Sequence, residues 1–149
     1  MTDAERHFGR ESRVGGAACL DFVNTLPWRG TGATIERLTT YDDLLSWAAY
    51  GNLVEAPQAA RLRELAQAQP TEAADVLRRA WALREGLHRI VTAQMQRREP
   101  AEDDVALLNG ELGAALAHTY LTRDGDGYRL GWRGLDEQLD APLWRVTRS

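Results

Sequence analysis

Between Thr71 and Arg98 the apolar residues fall into two adjoining stripes. One is Val76, Ala80, Leu83, Leu87 and Ile90; the other is Leu77, Trp81, Arg84, His88, Val91 and Met95. Steps of three and four keep side chains on one side of a helix, and two neighbouring stripes make its buried face wide. The pattern therefore predicts a central helix, capped by Thr71. Glu72 and Asp75 lie near its start and Arg97 and Arg98 near its end, the order the helix dipole favours.

Shorter periodic segments surround it. Ala17 to Leu26 sorts as a short helix, with Cys19, Phe22 and Leu26 on one side and Asp21, Asn24, Thr25 and Trp28 on another. Pro27 and the run Arg29-Gly30-Thr31-Gly32 end it. A helix from Tyr41 to Tyr50 follows, capped by Thr40, with Asp42 and Asp43 in its first turn and Leu44, Leu45, Trp47 and Ala48 turned inward. Pro57 suits the first turn of the next helix, which continues through Ala68. Beyond Pro100 a further helix runs to about Ala117, expected to bury Val105, Leu108, Leu112 and Leu116, with Glu102, Asp103 and Asp104 as solvated first-turn charges.

After that the period changes from helical to alternating. Thr119 to Arg123 and Tyr128 to Trp132 flank Asp124-Gly125-Asp126-Gly127, a hairpin signal, with Tyr128, Leu130 and Trp132 on the face that can lie on the helices. Leu143, Trp144 and Val146 belong to a last helical piece. The fold class predicted is mostly α: a multi-helix bundle with one β-hairpin packed on its side. Residues 1–13 read as a flexible lead-in and 14–149 as one domain.

Composition narrows the function. A chain of 149 residues can bury a core of its own, and no apolar run is long enough to span a membrane. The polar N-terminus and a single cysteine, Cys19, point to a cytoplasmic protein. Every one of the 18 basic residues is arginine, yet the net charge is −4, which argues against nucleic-acid binding by these residues alone. No glycine-rich phosphate loop, nucleophile elbow or metal-ligand spacing occurs, so no cofactor and no metal is implied. His7 and His118 read as ordinary histidines, and Cys19 as a small core residue.

The candidate chemistry centres on Arg84 and His88, one turn apart in the central helix. A guanidinium on a buried face must be answered by a carboxylate, by carbonyls or by an anionic ligand. Two readings stand. In one, Arg84 pairs with Asp21, His88 meets a carbonyl, and Asn24 and Thr25 bond the backbone where their helix ends. In the other, Asp21, Asn24, Thr25 and Trp28 form a polar pocket wall, and Arg84 grips a small polar or anionic molecule by two parallel hydrogen bonds, with His88 beside it. Trp144 would then stand at the pocket mouth. A small stand-alone enzyme using Asp21 and His88 as acid and base is the alternative function. A third reading is a homodimerisation module with a broad apolar surface around Trp132 and Trp144.

One resemblance spans nearly the whole chain from Val14 onward. The run from Gly15 to Thr25, the segment Tyr41-Asp42-Asp43-Leu44-Leu45-Ser46-Trp47-Ala48, and Ala82 to Leu87 come in the same order as in the ABATE-type domain of bacterial CGNR zinc-finger proteins. Leu107-Leu108-Asn109, the Gly125 to Tyr128 turn and Pro142-Leu143-Trp144 continue the series. That family is described as stress-induced transcription regulators. The resemblance implies a helical domain that senses a ligand or partner and is followed by a zinc ribbon, which contacts DNA. The ribbon motif does not occur in these residues, so any DNA contact of that kind is expected only through a ribbon absent from this sequence.

Overall fold

The computed structural model describes residues 7, 8 and 15–149. Among them are six helices and a two-stranded antiparallel hairpin, so the chain is mostly α with a small sheet, as expected. In order these are α1 (Ala18–Val23), α2 (Tyr41–Tyr50), α3 (Ala56–Ala68), α4 (Pro70–Met95), α5 (Glu102–Ala117), β1 (Thr119–Asp124), β2 (Gly127–Trp132) and α6 (Ala141–Thr147). Of the segment read as a lead-in, His7 and Phe8 are described, and Phe8 is packed in the core 6.3 Å from the Tyr50 ring. The remainder of that segment lies outside the described residues.

Local chemistry sets the helix ends. At α2, Thr40 Oγ1 accepts from the Asp43 N–H at 3.1 Å while the Asp43 carboxylate accepts from the Thr40 N–H at 2.8 Å, a reciprocal capping box. Glu55 and Gln58 make the same exchange at α3, with Pro57 in its first turn. The central helix α4 starts two residues earlier than the Thr71 cap predicts, because Pro70 occupies its first position, where a missing N–H costs nothing. It ends at Met95, so Arg97 and Arg98 lie beyond it, and Arg97 takes a left-handed φ of 53°.

The core is a continuous cluster drawn from every helix. It includes Phe22, Leu44, Trp47, Leu62, Leu83 and Leu143. Helix α4 turns both predicted stripes inward as far as Leu87, but Ile90 and Val91 are only half-buried and Met95 is 81% exposed. Helix α5 packs on α4 and α6 by a face rotated from the one the apolar spacing predicts: Leu108 packs on the core and Leu112 is half-buried, but the other two expected residues are not buried. Asp104, Glu111 and Ala115 are buried, whereas Val105 and Leu116 are exposed. The carboxylates are turned inward by α4: Arg89 holds Asp104 through both nitrogens at 2.9 and 2.6 Å, and Arg79 holds Glu111 at 3.0 and 2.8 Å. Asp104 is thus an ion-pair partner rather than a solvated first-turn charge.

The hairpin pairs Thr119 with Trp132 and Asp124 with Gly127, closing through Gly125 at φ 57°. Its expected packing face is only partly used. Trp132 stacks on Trp144 at 5.7 Å, but Tyr128 and Leu130 project past the helices and are exposed.

Candidate functional site

Helix α1 is too short to carry the four-residue polar face predicted for it. It stops at Val23, with Asn24 as its C-cap. Thr25 then turns inward, is fully buried, and donates its hydroxyl to the Phe22 carbonyl at 2.7 Å. Trp28 swings the other way, 64% exposed at a left-handed φ of 59°. Its carbonyl accepts from Thr31 Oγ1 at 2.7 Å and Thr34 Oγ1 at 3.0 Å, which holds a compact turn in place. From there to Thr39 the chain has no regular structure, and it returns to the core only at Leu38.

That irregular loop supplies the group that answers Arg84. The guanidinium is 2% exposed and meets the Glu36 carboxylate in two parallel hydrogen bonds, Nη1 to Oε1 at 2.8 Å and Nη2 to Oε2 at 2.5 Å. Nη1 also donates to Thr25 Oγ1 at 3.2 Å, and Nε to Glu85 Oε1 at 3.3 Å. Asp21 is not the partner; its Oδ1 instead accepts from the Gly15 N–H at 2.8 Å. The expected buried ion pair therefore exists with a different acid. Periodicity could not find Glu36, because a loop has no period to read.

The cluster extends outward. Arg29 donates to the Val23 and Leu26 carbonyls at 2.8 and 2.9 Å and to Glu85 at 3.1 Å, so Glu85 bridges two arginines. Trp81, one turn before Arg84, donates its indole N–H to the Leu38 carbonyl at 2.8 Å. Helix α4 thus grips the loop at Glu36 and at Leu38. Partial burial alone would raise the Glu36 pKa. Hydrogen bonds from Arg84 and the Leu38 N–H, with the Arg84 charge, outweigh it and hold the carboxyl below its ordinary value. Glu85 shifts downward in the same way, burial being overcome by Arg29 and Arg84.

The other predicted residues are dispersed. His88 lines a separate cavity of about 380 Å³ with Arg89, Thr92, Arg98 and Asp104. Burial and the charges of Arg29 and Arg89, opposed by Glu85, lower its pKa. Asp21 lines a third place, a cavity of about 350 Å³ between the start of α1 and the end of α2. The acid–base pairing of Asp21 with His88 accordingly finds no common cavity. Trp144 is fully buried rather than at a pocket mouth, stacked between His118 at 4.2 Å and Trp132 at 5.7 Å. Of the seven predicted residues, only Thr25 and Arg84 touch within one site.

A cavity of about 520 Å³, the largest described, involves none of them. It lies between α2, α3 and α4, floored by Ala66, Ala73 and Leu77 and edged by the Arg63–Asp42 ion pair. Small residues on facing helices make that space, and small residues carry no chemical signature in a sequence.

The family model named ABATE, described as "Putative stress-induced transcription regulator", matches residues 16–149. No curated protein and no solved structure matches the chain.

Proposed function

Because this chain belongs to the ABATE family, whose description is that of a stress-induced transcription regulator, we propose that it is the sensing domain of such a regulator, with Arg84 as its anchor for a small anionic molecule. The observation that carries the proposal is the origin of the acid on Arg84. A guanidinium 2% exposed is matched by a carboxylate from an irregular loop, in the two-bond geometry a free carboxylate or phosphate would adopt. Glu36 remains 34% exposed, so the outer edge of the pair is open to solvent. An incoming anion that displaces Glu36 keeps Arg84 paired, which avoids the cost of an orphaned buried charge. It also frees the loop from one of its two fastenings to α4. The signal is then a change in the loop that carries Trp28 and Ile35, both already exposed.

The test uses Glu36→Gln, which keeps size and one acceptor oxygen but removes the competing charge. Acetate, malonate, citrate and inorganic phosphate should raise the thermal midpoint of this variant more than that of the parent. The same anions should leave Arg84→Met unmoved. Equal shifts in all three proteins, or none in Glu36→Gln, would show that Arg84 is a structural residue only.

A further inference from the structure

The hairpin carries a strip that its own helices leave uncovered. Trp132, at its base, stacks on Trp144, but on the same face Leu130 is 49% and Tyr128 71% exposed. A two-stranded hairpin is marginal by itself, and one that projects past its helices gains from further strands. Folded proteins guard an open sheet edge with proline, a bulge or clustered charge. β2 has no proline, pairs with β1 without a bulge, and carries one charged residue, Arg129.

The backbone fixes which groups that edge offers. In an antiparallel pair, residues that exchange hydrogen bonds alternate with residues that do not. The Arg133 N–H donates to the His118 carbonyl at 2.8 Å, which puts Tyr120–Gly131 and Thr122–Arg129 in the bonded set. The N–H and C=O groups of Tyr128, Leu130 and Trp132 therefore point away from β1, and no described residue meets them.

Charge then selects a partner and a register. If β2 pairs with β2 of a second copy over most of its length, the two-fold axis passes through Arg129, Leu130 or Gly131, because opposite residues share a face. An axis at Arg129 sets two arginines face to face, and one at Gly131 sets Arg129 against Arg133; like charges directly opposite are destabilising. An axis at Leu130 sets Arg129 against Gly131, Leu130 against its counterpart and Tyr128 against Trp132, an apolar ladder with an aromatic pair at each end. The same register brings the acidic turn of one hairpin to the basic end of the other. Asp126 and Arg133 are both exposed, and neither has an ion-pair partner among the described residues. The outward groups of β1 belong to Thr119, Leu121 and Arg123, which form no such ladder.

We propose that two copies of this chain join edge to edge through β2, antiparallel about Leu130, into a four-stranded sheet of order β1-β2-β2-β1. The Arg84 cluster takes no part, so the failure of either proposal leaves the other standing.

Sedimentation equilibrium of the 149-residue chain tests it. The weight-average mass should climb from 16.6 kDa toward twice that value between about 1 μM and 1 mM. Leu130→Arg changes an exposed position, sets two cations at the axis, and should weaken association by about tenfold or more. Leu121→Arg adds the same charge to the same face on β1 and should change association by less than about twofold. Asp126→Arg and Arg133→Asp should each weaken it by about threefold or more, and both together in one chain should restore it. A chain that stays at 16.6 kDa throughout overturns the proposal and leaves the strip to some other partner. So does a dimer indifferent to Leu130→Arg, or one weakened equally by Leu121→Arg, which would mean that apolar faces stack. A double charge exchange that stays weak overturns the register about Leu130.

Discussion

Glu36 and Arg84 are unequal partners: the cation is fully desolvated, whereas the acid keeps a third of its side chain in contact with water. Losing the negative charge is therefore the more damaging event, because a buried guanidinium cannot rehydrate where it stands. Protonation is the reversible way to lose it. The folded-state pKa of Glu36 lies below the ordinary glutamate value of 4.5, and that of Glu85 moves the same way. For such groups the unfolded chain binds more protons than the folded one as pH falls past 4.5. The stability they contribute is thus present in full above that value and is lost as pH drops through the folded pKa. Urea unfolding measured from neutral pH down to acid should show a falling midpoint over that window. Glu36→Gln should start lower at neutral pH and fall less steeply, since one of the titrating groups is gone. A variant with the parent's slope would mean that Glu36 carries no such linkage.

The pairing of α4 with α5 depends on a missing side chain. A Cβ on Gly86 would stand 3.1 Å from Leu107 Cδ2 and 3.6 Å from Asp104 Oδ1, so this glycine sits where the second helix lies closest. Alanine there adds helix propensity but crowds Leu107, which can shift by a rotamer; the two effects nearly cancel. Leucine cannot be accommodated that way. Gly86→Leu should destabilise by about 2–3 kcal/mol through overpacking, read as a lower urea midpoint, and it should also loosen the Arg89–Asp104 pair beside it. A Gly86→Leu protein as stable as Gly86→Ala would show that the helices slide apart at little cost. This interface also shows where sequence reasoning stops. The limits of α2, the hairpin turn and the buried face of α4 follow from caps, glycines and spacing that act within a few residues. The orientation of α5 does not, because Val105 and Leu116 are as apolar as any core residue. What turned the helix was the pair Arg79 and Arg89 on its neighbour, whose long side chains reach Glu111 and Asp104 in reverse order along the second helix. Opposed charge patterns on successive helices are visible in a sequence, but only once the helices are known to be adjacent. Arg84 was legible as a buried cation for the same local reason as α2. Its partner was not, since Glu36 reaches it from a loop across 48 positions of chain.

Among the described residues, seven of the chain's 18 arginines meet the protein's own acids. Arg29 meets Glu85, Arg63 meets Asp42, Arg78 meets Asp75, Arg79 meets Glu111 and Asp140, Arg84 meets Glu36, Arg89 meets Asp104 and Arg129 meets Asp124. With a net charge of −4, the chain as a whole offers little positive potential to attract a phosphate backbone. A regulator built on this domain must then reach DNA through some other surface, and these residues would act on that contact indirectly. The expectation is specific. Duplex DNA mixed with the 149-residue chain near physiological salt should show no retention beyond the about 10⁻⁴–10⁻⁶ M typical of non-specific binding. Lowering the salt should rescue little, because the duplex meets a chain of net negative charge. Neutralising acids would change that balance. A variant carrying Glu111→Gln and Asp140→Asn frees Arg79, which is 40% exposed, and should bind DNA no more than slightly better than the parent, since one cation adds one phosphate contact. Tight, strongly salt-dependent retention by the parent chain would instead mean that the ion pairs open on contact with phosphate. The helical domain would then be a DNA-binding surface in its own right.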